Sequence, residues 1–214
     1  MNKLKDRGAA FICEKEVREA DFGPFNVIDR FKALGWEAAL KCYDNDNKNL
    51  FKEEIQEWMA TLRCPNYNKP QQLKLIGIVN NTDVEMSFES LRRLAKFDSK
   101  PTRGYMFPSL DDLYRKPEAH PHWNSMLEAL FLPGTWHGTL YRKNLKIEAK
   151  LLLVICVCNV ISRRGDKMEV RYPEVPILYT LLHGAPMFPF RLLVLNNVWI
   201  SHNKVGQRII PIVD

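Results

Sequence analysis

The sequence predicts a mainly α protein with one β-hairpin, an α+β chain folded as an irregular helical bundle, and three observations carry that expectation. Apolar residues recur at helical spacing in separate segments. One short stretch alternates apolar and polar residues on both sides of an Asn-Asn turn. Proline and glycine stand at the ends of the helical segments and not in their middles.

In residues 48–63, Phe51, Ile55, Trp58, Met59 and Leu62 fall on one helical stripe, with Glu53, Glu54 and Glu57 between them. That pattern predicts a surface helix with one buried side. Cys64-Pro65 ends it, because the residue before a proline is driven out of the α region. Leu73, Leu75, Gly77 and Val79 then alternate with Lys74, Ile76 and Ile78. After Asn80-Asn81-Thr82-Asp83 the alternation resumes, with Val84, Met86 and Phe88 set against Glu85 and Ser87. A lone hairpin is marginal in water, so helices are expected over its apolar face. Ser87 is placed to cap a short helix that buries Phe88, Leu91, Leu94 and Ala95.

From Pro121 onward, Trp123, Met126, Leu127, Leu130 and Phe131 repeat at i, i+3, i+4, i+7 and i+8, and Leu132-Pro133-Gly134 stops the run. A helix is expected next over about 143–161, basic at its start and apolar towards its end. Another is expected over about 174–183, with Pro176 in its first turn, Ile177, Leu178, Leu181 and Leu182 inside, and Gly184 as the stop.

Four of the 13 prolines, at positions 101, 108, 117 and 121, gather with Gly104 in residues 98–121. That segment reads as a connector within a single domain spanning 1–214, between a sub-lobe of helices and hairpin (1–97) and a helical sub-lobe (122–214). A domain of this length with 46% apolar residues can bury a sizeable core, which excludes collagen-like, low-complexity and wholly disordered classes. Five scattered cysteines, at positions 13, 42, 64, 156 and 158, give no disulfide framework. The most apolar run, Leu151 to Ile161, is 11 residues long. About 20 are needed to cross a bilayer, so a reduced intracellular protein that makes no membrane contact is expected.

Catalytic patterns are missing. His120 and His122 flank Pro121, with His137 further on, but that spacing fits no zinc motif, and polar residues at a helix start explain it. Cys156-x-Cys158 lacks the two-residue spacer of zinc ribbons and redox motifs and reads as a pair of buried small side chains. Asp111-Asp112 after Ser109 reads as a capping box within the connector and not as a two-metal carboxylate pair. No phosphate-binding loop, dinucleotide fingerprint or nucleophile elbow occurs. The expectation is therefore no enzyme, no catalytic residue, no metal, no cofactor and no small-molecule substrate.

The net charge of +6 is not spread evenly. Residues 1–139 hold 20 basic and 20 acidic side chains, whereas residues 140–214 hold 11 and 5. Arg142, Lys146 and Lys150, spaced i, i+4 and i+8, would line one face of the expected helix, with Lys143 beside them. Arg163, Arg164, Lys167 and Arg171 follow in a loop around Gly165 and Asp166. These eight residues are the candidate site for RNA or single-stranded DNA, with Tyr141 and Tyr172 as the neighbouring aromatic residues. A solvated helix face is the alternative reading.

Taken in order, several segments resemble the plant transposon protein domain family, found in capsid-like or envelope-like open reading frames of plant long-terminal-repeat retroelements. They are Lys5-Asp6-Arg7-Gly8, Glu14-Lys15-Glu16-Val17, Phe31-Lys32-Ala33-Leu34-Gly35-Trp36, Leu50 to Met59, and the hairpin from Leu75 to Phe88 with Ser90-Leu91-Arg92-Arg93-Leu94. Gly134-Thr135-Trp136, Leu145 to Ile161 and Ile177 to Gly184 resemble its closing helices. The chain departs from the family's pattern at Ser162-Arg163-Arg164-Gly165-Asp166 and at Pro186-Met187-Phe188-Pro189. The resemblance implies no enzymatic activity. It implies a non-enzymatic retroelement-derived protein acting by assembly or protein contacts, through self-association or with other retroelement proteins. Nucleic-acid binding through the basic residues is one alternative, and an inert transposon remnant is another.

Overall fold

The computed structural model describes residues 22, 25–40, 52–66, 73–95, 117–161, 168–184, 188 and 190–206. They form an α+β fold, seven α-helices and one antiparallel hairpin among the described residues. The connector residues 98–116, including Ser109, Asp111 and Asp112, lie outside the described residues, as do Cys13 and Cys42.

Helix α1, Val27–Leu34, buries Val27, Phe31 and Leu34. Its stop is a Schellman motif. Gly35 takes a left-handed conformation (φ 73°), its amide donates to the Lys32 carbonyl, and the Trp36 amide donates to the Phe31 carbonyl at 2.8 Å. The hydrophobic contact that accompanies this motif is an edge-on meeting of the Phe31 and Trp36 rings, with centroids 6.4 Å apart. A 3-10 turn follows over Glu37–Leu40.

Helix α2, Lys52–Ala60, lies inside the expected 48–63 segment. Its stripe is buried only in part. Trp58 and Leu62 are buried, but Ile55 is 45% exposed. The helix rests on the hairpin through its C-terminal turn, where Trp58 lies over Gly77 and donates its indole N–H to the Val84 carbonyl at 2.8 Å.

The strands are β1, Lys74–Val79, and β2, Thr82–Ser87, paired from Lys74↔Ser87 to Val79↔Thr82. Asn80 and Asn81 form the two-residue turn, both at positive φ (49° and 59°), which is the type I′ geometry that matches the twist of a hairpin. The outer edge of β1 is covered where Arg63 and Ile76 exchange backbone hydrogen bonds of 2.8 and 3.0 Å. Helix α3, Phe88–Ala95, begins at a reciprocal cap: the Ser87 amide donates to Ser90 Oγ and the Ser90 amide to Ser87 Oγ. Phe88 and Leu91, two of its expected buried residues, are half-buried.

Helix α4, Trp123–Leu130, buries Trp123, Met126, Leu127 and Leu130, and Phe131, the last of the set its spacing predicts, is buried just past its end in extended backbone. Helix α5, Ile147–Ile155, runs on into a π-helical turn over Cys156–Val160. Helix α6, Glu174–His183, has the expected bounds, with Gly184 left-handed (φ 70°) at its end. Helix α7, Phe190–Gly206, closes the described structure. No helix among the described residues is long and apolar enough to cross a membrane.

The buried side chains form two clusters. In the larger, α1 and the turn after it pack with α4, α5, α6 and the start of α7, and Trp36 stacks on Phe190 at 4.3 Å. The smaller joins Trp58, Leu62, Leu73 and Leu75 to Leu195 of α7. The clusters therefore do not follow the division of the chain at 98–121. Val27, Phe31 and Trp36, from the N-terminal side of the connector, belong with the C-terminal helices, and Leu195, from the far side, completes the core under the hairpin.

Candidate functional site

Arg142, Lys143, Lys146 and Lys150 do not line one face of a single helix. Between α4 and α5 the chain makes a 3-10 turn over Arg142–Asn144 and then runs extended through Leu145 (ψ 149°) and Lys146 (ψ 155°). The extension is enforced by pairing with the end of α4. Phe131 and Leu145 form a bridge, the Lys146 amide donates to the Leu130 carbonyl at 2.8 Å, and the Leu132 amide donates to the Asn144 carbonyl at 2.9 Å. The helix expected over 143–161 thus begins at Ile147, and Arg142, Lys146 and Lys150 do not share a face of it.

Each described basic residue has its own setting. Lys146 precedes the first turn of α5 and donates its ammonium to the Glu128 carbonyl at 2.7 Å. That carbonyl belongs to the last turn of α4, where carbonyls lack helical partners and positive charge is favoured, so Lys146 serves as a helix cap. Lys150 lies half-buried on α5, next to the exposed residues of its outer side. Arg142 and Lys143 lie in the 3-10 turn, and Arg171 precedes α6. Arg163, Arg164 and Lys167 lie outside the described residues.

A second pairing brings Arg142 and Lys143 to the segment that carries Arg171. Tyr141 and Glu169 form an antiparallel bridge. The Arg142 amide donates to the Met168 carbonyl at 2.7 Å and the Val170 amide to the Leu140 carbonyl at 2.8 Å. Leu140 and Val170 are buried beneath this bridge. Side chains alternate across extended backbone, so Tyr141, Glu169 and Arg171 project outward. Tyr141 is 42% exposed and Tyr172 43%. The Lys143 ammonium stands 5.6 Å from the centre of the Tyr141 ring, and Tyr172 meets the buried Trp123 ring edge-on at 5.5 Å. Among the described residues, no ion pair engages Arg142, Lys143 or Arg171.

Helix α5 has a second unusual feature. Ala149, Leu152, Leu153 and Ile155 are buried, yet the opposite side carries Ile147, Leu151 and Val154 at i, i+4 and i+7, with Lys150 among them. Ile147 is 60% exposed and Val154 38%. A helix apolar all round is ordinarily a core helix, so an apolar outer stripe marks a surface suited to a contact.

The rings of His120 and His122 lie 5.6 Å apart at the start of α4, and the His122 amide donates to His120 Nδ1. No group of three or more His, Cys, Asp or Glu side chains among the described residues could hold a metal ion. The Cys156 thiol is fully buried in the π turn, and burial first, then the Glu174 carboxylate, pushes its pKa well up, away from the reactive thiolate. Glu174 itself accepts the Arg171 amide at 2.9 Å and starts α6.

One contact between helices leaves no local trace in the sequence. Arg30 of α1 donates from Nη1 to the Leu182 carbonyl at 2.6 Å and from Nη2 to Glu148 at 3.1 Å, tying α1 to the end of α6 and the start of α5. Its partners are 152 and 118 residues away, and no spacing rule connects them. No family model matches the chain, and no curated protein and no solved structure does so either.

Proposed function

We propose that this chain is a non-enzymatic protein of retroelement descent that works by associating with further copies of itself. The ordered sequence blocks that resemble the plant transposon protein domain family support the descent. The observation that supports association is the outer stripe of α5, Ile147, Leu151 and Val154, on a helix whose other side is already committed to the core. Apolar surface gains about 25 cal/mol per Å² when removed from water.

A second copy is the simplest cover for such a stripe. In a two-fold antiparallel pairing of α5 helices, Ile147 of one copy meets Val154 of the other, and each Lys150 extends its stem along the seam with its ammonium in water. Three side chains are few beside the roughly 800 Å² per partner of a standard interface. Association through this stripe alone is therefore weak and concentration-dependent.

Light scattering on the full chain over a range of concentrations tests the reading. The expected result is a mass that rises towards a dimer, and that stays monomeric when Ile147→Glu and Val154→Glu are combined. Both positions are exposed, so circular dichroism should show the variant folded. A wild-type chain that remains monomeric at the highest concentration and captures no partner in a pull-down would behave as an inert remnant, and would overturn the proposal.

A further inference from the structure

We propose that the paired segments 140–143 and 168–172 form a binding site for single-stranded nucleic acid, in which a base stacks on Tyr141 and the flanking phosphates meet Lys143, Arg171 and Arg142. This goes beyond self-association and does not depend on it.

Geometry carries the site. The Tyr141↔Glu169 bridge, closed by backbone hydrogen bonds of 2.7 and 2.8 Å and floored by buried Leu140 and Val170, fixes Tyr141 on a braced surface and not on a free loop. The alternation that buries Leu140 and Val170 sends Arg171 to the same side as Tyr141. Lys143 lies within cation–π range of the Tyr141 ring, so a cation accompanies the aromatic surface on which a base would rest. Tyr172, held edge-on against Trp123, places a second exposed ring next to Arg171 in sequence.

Charge carries it further. Elsewhere in the described structure, Arg30, Arg63, Lys74 and Arg92 are engaged by Glu148, Asp83, Glu85 and Glu89. Among the described residues no ion pair engages Arg142, Lys143 or Arg171, and Glu169 is the carboxylate that takes part in the bridge. Lys143 at the exposed ring, Arg171 on the same side of the bridge and Arg142 in the adjoining turn match the two requirements of sequence-tolerant single-strand binding, a backbone-tracking charge and a stacking platform. A duplex hides its base faces within the stack, so single strands are favoured.

Fluorescence anisotropy with labelled ten-residue oligouridine and oligothymidine, using the full chain, tests the site. Binding should weaken as salt rises, with a log–log slope of about −2 for three phosphate contacts at roughly −0.7 each. Tyr141→Ala should weaken binding about tenfold, Tyr141→Phe should stay within about twofold because the ring face is kept, and a duplex of the same length should bind more weakly. Lys143→Glu with Arg171→Glu should abolish binding while the melting temperature holds. Absence of binding to both oligonucleotides would overturn the proposal, as would equal affinity for oligonucleotide and polyglutamate. Binding indifferent to Tyr141→Ala would overturn it too, since the patch would then be a general anion surface.

Discussion

The Trp58 indole lies so close over Gly77 that a Cβ added to the glycine would stand 2.6 Å from the indole Cδ1, and closer still to the Trp58 carbonyl oxygen. The second neighbour is backbone and cannot rotate away. Gly77→Ala is therefore expected to cost about 1–3 kcal/mol through overpacking, read as a lower urea midpoint. Trp58→Phe keeps most of the ring but loses the hydrogen bond to Val84, worth about 1 kcal/mol. An unchanged midpoint for Gly77→Ala would show that α2 does not sit on the hairpin as described.

Asn196 of α7 is fully buried, and neither its side-chain nitrogen nor its oxygen finds a hydrogen-bond partner among the described residues. A buried polar group left unpaired costs about 1–3 kcal/mol, and an apolar side chain of similar volume avoids that cost. Asn196→Leu should raise the thermal midpoint. A fall would mean that the amide is satisfied by a partner or a water that the leucine displaces.

His183, at the end of α6, packs at a tilt against Tyr179 with ring centres 4.3 Å apart. Burial, then the positive charges of Arg30 and Lys146, hold its pKa below the usual imidazole value. A base with a depressed folded pKa is protonated more readily in the unfolded chain. The stability it contributes is thus complete above its unfolded pKa and is lost as the pH falls through the folded one. Titration of the imidazole by NMR should give a midpoint below that of a free histidine, and Arg30→Gln should move it upward. A midpoint unmoved by Arg30→Gln would separate the two groups.

Cys156 should resist alkylation in the native protein and label rapidly in urea, because its thiol is buried and its pKa is raised. Mapping of iodoacetamide adducts by mass spectrometry distinguishes it from the other cysteines. Native labelling at the urea rate would place the π turn at the surface.

Much of the fold is readable wherever one periodicity meets one environment. Helix α4 buries a single stripe and α6 is punctuated by Pro176 and Gly184, so their bounds follow from residue order alone. The hairpin follows from alternation and Asn80-Asn81. Helix α7 is hidden for the opposite reason. Phe190 and Leu193 face one cluster while Leu195 faces the other, so its apolar residues occupy more than one side and show no clear stripe.

The candidate site fails to read from sequence for a related reason. Arg142, Lys146 and Lys150 carry helical spacing by coincidence, since Leu145 is drawn into a pairing with Phe131 that no local propensity signals. The Tyr141↔Glu169 bridge likewise joins residues 28 positions apart through runs too short to show an alternation. Among the described residues of the expected set, the half-buried Arg142, exposed Lys143 and exposed Arg171 lie on the two segments that this bridge joins, and Lys146 and Lys150 do not.

Because α7 supplies Phe190 and Leu193 to one cluster and Leu195 to the other, both wait on the same ten or so residues of chain. During synthesis the segments before it emerge first, yet neither core is complete until this helix has left the ribosome. Folding in the cell is therefore expected to be a late, concerted event, with the hairpin and the helical part exposing apolar surface to chaperones until the same helix closes both.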